Sequence, residues 1–309
     1  MKYIVTGGAG FIGSHIAEGL AQAGHDVVVV DNLFSGKLEN IAPLLTRENA
    51  RFVRGSVTDL PLLKKTFDGA DGVFHEGAIA SVPRSIADPA ATNEANVTGT
   101  LNVLVAARDC GVPKVLFASS SSVYGNTPAL PKREDMAPHP LSPYAVSKLA
   151  GEEYLRVFSE VYGLKTVSLR YFNVFGPRQD PLSQYAAVIP NFITRILRHE
   201  PPVIYGDGEQ TRDFSYVKDV VQANLRAMES GAEGVFNVAY CQRITLKELA
   251  ATIMELTGIT VPLRFDPPRP GDVRDSLADI SRARQAFGYS PAYTVKSGLR
   301  ETIEWYRDR

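Results

Sequence analysis

The chain has 309 residues, of which 44% are hydrophobic and 22% are charged, and these values predict a folded protein of one large domain or two medium ones. Its 33 lysines and arginines are balanced by 34 aspartates and glutamates, which argues against a protein that binds nucleic acid by neutralising phosphates. Cys110 and Cys241 form no Cys-x-x-Cys motif or Cys/His cluster, so we expect neither a disulfide framework nor a metal site.

The amino terminus runs from Met1 into a glycine-rich segment without the apolar stretch of a signal peptide. No apolar run approaches the roughly 18 residues that are needed to span a bilayer. We therefore expect a cytoplasmic protein with neither a membrane nor a nucleic-acid partner.

The first half of the chain alternates short apolar segments with longer amphipathic ones. Strands are predicted at Tyr3–Val5, Asp26–Val30, Arg51–Arg54, Gly72–His75, Lys114–Ala118 and Thr166–Arg170. Helices are predicted at Phe11–Ala23, Asn93–Arg108 and Tyr144–Tyr162. Short apolar strands that alternate with helices are typical of a parallel sheet covered on both faces, and right-handed crossovers make such a sheet doubly wound. We therefore predict an α/β fold of the Rossmann type.

After residue 172 this rhythm breaks, and prolines and glycines become frequent. Helices are predicted at Ala187–Arg198 and Leu246–Leu256, which indicates a second, smaller α/β domain. Because Val235–Val238 has the pattern of another buried strand, the chain is expected to return to the first domain there. The predicted division is a first domain of residues 1–172 plus roughly 214–240 and a second of 173–213 plus 241–309.

Three glycines, Gly7, Gly10 and Gly13, follow the first predicted strand and open the first predicted helix. In a strand–helix–strand unit this spacing is typical of dinucleotide binding, because a side chain at these positions would block the tight turn, the pyrophosphate or helix–strand packing. Free N–H groups at the helix start then face the phosphates. The alternative is a glycine-rich turn with only a structural role.

The second predicted strand leads into Asp31, whose carboxylate could accept hydrogen bonds from both ribose hydroxyls of NAD and would repel the extra phosphate of NADP. Asn32, Ser35 and Gly36 follow in a loop that suits the adenosine side of the cofactor. Ser56 comes after the third strand, where an adenine contact is expected. The pattern therefore favours NAD over NADP.

Tyr144 and Lys148 are four residues apart on a predicted helix, which places them on one face. A free tyrosine has a pKa near 10, and an ammonium group beside the phenol favours the phenolate. A positive nicotinamide ring would act in the same direction. Lowering the pKa by three units requires roughly 4 kcal/mol. We therefore predict that Tyr144 is a base with a lowered pKa.

A run of serines, Ser119–Ser122, stands at the end of the fifth predicted strand. Ligands of doubly wound folds bind at the carboxyl ends of the strands, so a serine there could bond the reacting oxygen and relay its proton to Tyr144. A polar strand end with helix-capping chemistry is the structural alternative. In combination with Tyr144 and Lys148, the run predicts a site for hydride transfer.

Taken together, these motifs resemble the extended short-chain dehydrogenase/reductase superfamily over essentially the whole chain. Within it, the sequence is similar to the UDP-hexose 4-epimerases, and most of all to the branch that acts on UDP-N-acetylglucosamine and UDP-N-acetylgalactosamine. The strings that carry the resemblance are TGGAGFIGSH, Asp31-Asn32-Leu33, SVPRS from Ser81, NVTGT from Asn96, SSSVYG, SPYAVSKLAGE, LRYFNVFGPRQ and GEQTRDFSYV from Gly208.

The resemblance implies NAD-dependent 4-epimerisation of a UDP-hexose through a 4-keto intermediate, with acceptance of the acetylated and the unacetylated sugar pairs. It assigns NAD to the first domain and the nucleotide sugar to the second. It also implies a homodimer in which the helices at 93–108 and 144–162 pair with those of a second copy.

Matched position by position, the resemblance assigns catalysis to Ser120, Tyr144 and Lys148. It assigns NAD contacts to Gly7, Gly10, Phe11, Ile12, Gly13, Asp31, Asn32, Ser35, Gly36, Ser56, Val57, Ala78, Ala80, Asn96, Tyr144, Lys148 and Tyr171. It assigns the substrate to Ser81, Ser121, Ser122, Asn173, Ala187, Val188, Arg212, Arg269, Asp272 and Ser276. Arg212 and Arg269 suit a diphosphate also because guanidinium groups bind phosphate oxygens bidentately.

Two positions depart from the family pattern. Glu76 stands where the family usually has a small or apolar residue, so a carboxylate there is unexpected unless its side chain points away along the strand. Ser56 replaces an aspartate that commonly contacts adenine. At the sugar pocket, Ser276 occupies a wall position that is bulky in epimerases confined to unacetylated sugars, and a serine leaves space for an N-acetyl group.

Four alternatives stay open. The first is an epimerase restricted to unacetylated sugars. A 4,6-dehydratase usually carries an Asp-Glu pair after its catalytic Ser/Thr, where this chain has Ser121 and Ser122. A UDP-glucuronate epimerase or decarboxylase needs a cation for the substrate carboxylate, for which Arg84 is a candidate. A catalytically silent NAD-binding sensor would not require the intact Ser-Tyr-Lys set.

Overall fold

The computed structural model of the protein describes residues 1–181, 187–267 and 274–308. Its strands are, in chain order, β1 (Lys2–Thr6), β2 (Asp26–Asp31), β3 (Ala50–Arg54), β4 (Gly72–His75), β5 (Lys114–Ser120), β6 (Lys165–Tyr171), β7 (Val174–Phe175), β8 (Val203–Tyr205), β9 (Thr211–Asp213), β10 (Ser215–Tyr216), β11 (Gly234–Val238), β12 (Arg243–Thr245) and β13 (Arg264–Asp266). Seven of them form one sheet in the order β11-β6-β5-β4-β1-β2-β3. Every neighbouring pair in this sheet is parallel.

The helices are α1 (Phe11–Gln22), α2 (Leu60–Phe67), α3 (Val82–Ala87), α4 (Pro89–Asn93), α5 (Gly99–Asp109), α6 (Pro143–Tyr162), α7 (Val188–Leu197), α8 (Val217–Glu229), α9 (Leu246–Thr257), α10 (Ser281–Phe287) and α11 (Val295–Arg307). The single helix predicted at 93–108 is in fact interrupted. A π-helical turn, Glu94–Thr98, separates α4 from α5. Such turns are frequent at functional sites.

Both faces of the seven-stranded sheet are covered, which confirms the predicted doubly wound fold. Val5 belongs to the core cluster that includes residues of α1 and α8. Its neighbour Ile4 belongs to the cluster that includes residues of α5 and α6. Because successive side chains of a strand point to opposite faces, the all-apolar strands of the sequence serve both cores at once.

A third hydrophobic cluster is built largely from α7, α9 and α11, with Phe192, Leu249 and Leu299 among its buried members. Three two-stranded sheets accompany it in the second half of the chain: β7 with β10, β8 with β13 and β9 with β12. Across the described ranges, none of the helices combines the length and the apolarity that crossing a membrane requires.

The strand order positions the functional site. Strands β1 and β4 are neighbours, but the chain leaves β1 towards β2 on one side and leaves β4 towards β5 on the other. A crevice opens at such a topological switch point, outside the carboxyl ends of the strands. The segments that follow β1 and β4 come into close contact there, because a Cβ atom on Gly7 would lie 2.6 Å from the backbone nitrogen of Gly77.

Candidate active site

The carboxyl ends of the strands open into one cleft with a volume of about 1470 Å³. Most of the residues singled out in the sequence line it. They are Gly7, Gly10, Phe11, Ile12, Gly13, Asp31, Asn32, Ser35, Ser56, Val57, Ala78, Ala80, Ser81, Ser120, Ser121, Ser122, Tyr144, Lys148, Tyr171, Asn173, Ala187, Val188, Arg212 and Ser276. The fold therefore gathers segments that are up to 269 positions apart, Gly7 to Ser276, into one space.

Two further expected contact residues, Asn96 and Gly36, adjoin this lining. Asn96 is fully buried, and its amide group accepts a hydrogen bond from the Ile79 nitrogen at 2.7 Å and donates to Ser147 Oγ at 3.0 Å. Gly36 packs against the Asp31 carboxylate, where an added Cβ would lie 2.8 Å from Oδ2. Both residues support the wall of the cleft. Arg269 and Asp272 lie outside the described residues.

The glycine turn fits a dinucleotide. Gly7 has a φ of +65°, a conformation that L side chains rarely adopt. A Cβ on Gly13 would lie 2.4 Å from the carbonyl oxygen of Gly7. Gly10 is the N-cap of α1 and has no side chain to cap the first turn, so the N–H groups there are left for an anion such as a pyrophosphate.

Asp31 ends β2 beside this turn and is 8% exposed. Its Oδ2 accepts a hydrogen bond from the Ala9 nitrogen at 3.0 Å, and its Oδ1 accepts one from the Leu33 nitrogen at 2.7 Å. Burial raises the pKa of the carboxyl group, and these two bonds lower it. Each carboxylate oxygen keeps a lone pair for a ribose hydroxyl.

The predicted serine, tyrosine and lysine meet at the other end of the cleft. Ser120 is the last residue of β5, and Tyr144 lies in the first turn of α6. The α6 start is fixed by Ser142, whose Oγ accepts a hydrogen bond from the Ala145 nitrogen at 3.2 Å. Lys148 Nζ donates to the carbonyl oxygen of Ala118 at 2.8 Å and lies 5.9 Å from the centre of the Tyr144 ring.

In the polypeptide by itself the pKa of Tyr144 is not lowered, and the lowering expected from Lys148 and the nicotinamide together stays a prediction for the enzyme with NAD bound. Burial raises the pKa of its phenol, a hydrogen bond with the Ser120 side chain lowers it, and the nearby Glu76 carboxylate raises it further. Burial also lowers the pKa of Lys148 to about 8. The groups of the chain alone therefore disfavour the phenolate, and Lys148 is bonded to backbone rather than to the phenol.

Glu76 does not point away along its strand, as its departure from the family pattern had suggested. Its side chain lines the cleft, and its Oε1 accepts a hydrogen bond from the Tyr171 hydroxyl at 2.8 Å. Burial raises the pKa of Glu76 to about 7, against the lowering effects of Tyr171 and Lys148.

The second half of the chain forms the facing wall. Asn173 donates from Nδ2 to the Asp213 carbonyl oxygen at 2.9 Å and to Ser276 Oγ at 3.2 Å. Arg212 donates from Nη1 to the carbonyl oxygens of Thr211 and Arg274, both at 2.9 Å. These bonds hold an amide, a hydroxyl and a guanidinium group at the cleft.

The model of the NAD dependent epimerase/dehydratase family matches residues 3–239 of this sequence. The chain belongs to this family. Among solved structures, it is similar to the UDP-N-acetylglucosamine 4-epimerase of Methanobrevibacter ruminantium in complex with UDP-N-acetylmuramic acid. The two are 44% identical over 99% of this chain and 98% of that one, with a TM-score of 0.96.

Two further structures support membership among the UDP-sugar 4-epimerases of the family. The UDP-glucose 4-epimerase of Thermotoga maritima, solved with UDP-glucose, is 42% identical over 100% of this chain and 99% of that one, with a TM-score of 0.95. The UDP-glucose 4-epimerase of Thermus thermophilus, solved with NAD, is 39% identical over 99% of both chains, with a TM-score of 0.91. NAD is the cofactor of this epimerase-family chain, and the glycine turn and Asp31 fit it.

Other charged and aromatic groups of the cleft were missed by the sequence reasoning. Lys37 forms an ion pair with Asp180 at 3.4 Å. The Arg84 guanidinium, noted only as a candidate for a rival activity, lies 5.2 Å from the centre of the Phe34 ring. Family-typical strings contain Arg84 but give no signal for Phe34 or Lys37, which follow the Asp31-Asn32-Leu33 triplet in a loop.

Replacement of Asp31 by Asn is expected to weaken NAD binding between tenfold and a hundredfold, because a hydrogen bond to a charged acceptor contributes about 1.5–3 kcal/mol. Titration calorimetry on cofactor-free protein measures this. The matched control is Asp26→Asn at the exposed start of the same strand, which should leave NAD affinity unchanged. Equal affinities of the Asp31 variant and the unaltered protein would contradict the assignment.

Proposed function

We propose that the protein is a UDP-hexose 4-epimerase that accepts UDP-N-acetylglucosamine and UDP-N-acetylgalactosamine as well as UDP-glucose and UDP-galactose. The observation that carries the proposal is the meeting of Ser120, Tyr144 and Lys148 in the cleft that also holds the glycine turn. The Ser120 side chain is close enough to Tyr144 to lower the pKa of its phenol, so a sugar hydroxyl that reaches either of them would enter a path for its proton.

In this proposal, Tyr144 removes the proton of the sugar 4-hydroxyl, directly or through Ser120. The glycine turn and Asp31 would hold NAD, which would supply reversible hydride transfer at C4 of the sugar, so that a 4-keto sugar would be the species between the two steps. Because burial raises the pKa of Tyr144, the phenolate requires compensating positive charge. The Lys148 ammonium contributes to this charge on the protein side.

Inversion requires the 4-keto sugar to present its other face to the same groups. The sugar turns about its link to the diphosphate while the UDP moiety stays bound, so binding energy is placed on the part that does not react. We assign UDP to Asn173, Ala187, Val188 and Arg212, together with Arg269 and Asp272 outside the described residues. We accordingly propose two domains. Residues 1–172 plus roughly 214–240 bind NAD, and residues 173–213 plus 241–309 bind the nucleotide sugar.

Acceptance of the acetylated sugars rests on Ser276. This residue lines the cleft, and its Oγ accepts the hydrogen bond from Asn173, so its small side chain belongs to the same wall as the proposed substrate contacts. A serine leaves room for an N-acetyl group at that wall. A pocket with this room can also bind the smaller, unacetylated sugars.

The dehydratase reaction lacks support at the same site. Ser121 and Ser122 line the cleft where elimination of water would need an acid and a base. Ser122 Oγ is buried and finds no hydrogen-bond partner among the described residues, which suits a contact with a sugar hydroxyl after a side-chain rotation. Arg84, the candidate cation for a uronate, is stacked over Phe34.

We also propose that the protein acts as a homodimer through α6. Val146, Val157 and Val161 are 52%, 38% and 64% exposed, and their spacing places them along one side of the helix. Tyr162 is a further exposed apolar residue at its end, at 50%. A second copy of this helix would bury the stripe.

A cytoplasmic location stays a prediction, which the free Cys110 and Cys241 support.

Replacement of Tyr144 by Phe is expected to lower the turnover of UDP-N-acetylglucosamine at least a hundredfold, because the base is lost while the ring is retained. Formation of the galacto epimer, followed by NMR, measures turnover, and the ultraviolet spectrum verifies that NAD is still bound. Tyr154→Phe, on the same helix but outside the cleft, is the control and should be fully active. Near-normal turnover of the Tyr144 variant would remove the proposed base.

Replacement of Ser276 by Tyr should abolish turnover of the acetylated pair and leave turnover of UDP-glucose nearly unchanged, because the larger side chain fills the space of the N-acetyl group. The kcat/KM for both substrates is the measurement. Ser276→Ala removes the bond from Asn173 without filling the space, and should retain both activities. Unchanged kinetics on the acetylated sugar would refute the role of this wall.

Replacement of Val161 by Asp is expected to convert a dimer into a monomer, because it places a charge in the proposed apolar interface. Sedimentation velocity gives the mass of the particle. Leu45→Asp changes an exposed leucine outside α6 and should leave the dimer intact. An unaltered protein that sediments as a monomer would exclude the homodimer.

A further inference from the structure

Glu76 lies at the switch point of the sheet. It directly follows β4, and its backbone nitrogen donates to the carbonyl oxygen of Thr6 on the neighbouring β1 at 3.1 Å. Its side chain reaches past the end of β5 to Tyr171, the last residue of β6, whose hydroxyl donates to Oε1. The carboxylate therefore lies over the strand ends at the floor of the cleft.

A chain of hydrogen bonds holds the carboxylate in this orientation. Asn224 on α8 donates from Nδ2 to the Tyr171 hydroxyl at 2.8 Å and to the Val220 carbonyl oxygen at 2.9 Å. Tyr171 in turn donates its single hydroxyl proton to Glu76 Oε1. None of the described residues donates to the second oxygen of the carboxylate, so this oxygen is available at the cleft.

The surroundings of Glu76 are otherwise cationic or protonatable. The titratable groups that face it in the described part of the chain are Lys148 and Tyr144 from α6 and Tyr171 from β6. Lys148 lowers the pKa of Glu76, and Glu76 raises the pKa of Lys148, so each stabilises the charged form of the other. The negative charge thus belongs to the same cluster as the proposed base.

We propose that Glu76 is a built-in counter-charge for the oxidised cofactor, which makes the enzyme bind NAD in preference to NADH. The inference rests on the proposed function, which brings the nicotinamide to Tyr144 and Lys148. The oxidised ring carries a positive charge and the reduced ring carries none, so a carboxylate at this end of a low-dielectric cleft attracts only the oxidised form.

The same charge opposes proton removal by Tyr144. A carboxylate near the phenol raises the pKa of the phenol. The benefit for the cofactor therefore comes with a Tyr144 hydroxyl that is harder to ionise. Neutralising Glu76 should therefore have two effects of known sign. It should weaken the preference for NAD, and it should move the acid limb of the kcat–pH profile to lower pH.

Glu76→Gln tests this, because the amide keeps the shape and can still accept the bond from Tyr171. Holoenzyme is equilibrated with an excess of an equimolar mixture of NAD and NADH and is then desalted. The protein is denatured, and the released cofactors are quantified by their absorbance at 260 and 340 nm. The bound NADH:NAD ratio should rise at least tenfold over that of the unaltered enzyme, with the acid limb displaced downward. Glu76→Asp keeps the charge and should keep the ratio within a few-fold.

The control Glu48→Gln neutralises an exposed carboxylate outside the cleft and should change neither quantity. A ratio for Glu76→Gln within twofold of the unaltered enzyme overturns the counter-charge, even if turnover falls. An equal rise in Glu76→Asp also overturns it, because the effect would then follow shape rather than charge. If the unaltered enzyme binds the cofactors and lacks epimerase activity, the proposed reaction fails while the ratio still decides the role of Glu76.

Discussion

The site depends on the contact between the backbone segments that leave β1 and β4. A side chain on Gly7 would collide with the backbone of Gly77, so these segments can approach this closely only because position 7 is glycine. Their approach sets the floor of the crevice at the switch point and leaves the start of α1 facing it. Asp31 is then held against the same turn through the Ala9 nitrogen, which ties the adenosine side of the cleft to the phosphate side.

Burial governs the chemistry at the other end of the cleft. Desolvation pushes Tyr144, Lys148 and Glu76 towards their neutral forms, so each charge there depends on a partner. In the polypeptide alone, Glu76 and Lys148 stabilise each other's charged forms, and the phenol of Tyr144 stays protonated. In the proposed function, the positive charge of the nicotinamide would alter this balance in favour of the phenolate. Base strength and cofactor charge are in this way coupled through one cluster.

The substrate wall is held to the sheet by a buried carboxylate. Asp213, fully buried at the end of β9, accepts hydrogen bonds from the backbone nitrogens of Tyr240, Cys241 and Ala278. Its own carbonyl oxygen accepts the bond from Asn173. The segments that carry Asn173 and Ser276 are therefore fixed relative to the strand ends, which is the geometry that a substrate anchored by its nucleotide would require.

The sequence by itself determined the seven strands of the large sheet, the glycine turn and the spacing of Tyr144 and Lys148, because these features are set by local periodicity and by steric limits on short segments. It could not show that the helix at 93–108 contains a π turn, that Asn96 supports the wall of the cleft, or that Glu76 turns into the cleft. Those depend on which strands become neighbours and on what each side chain then meets. The sequence also could not show the raised pKa of Tyr144. Only the tertiary structure decides how far a group is removed from water and which charges share its surroundings.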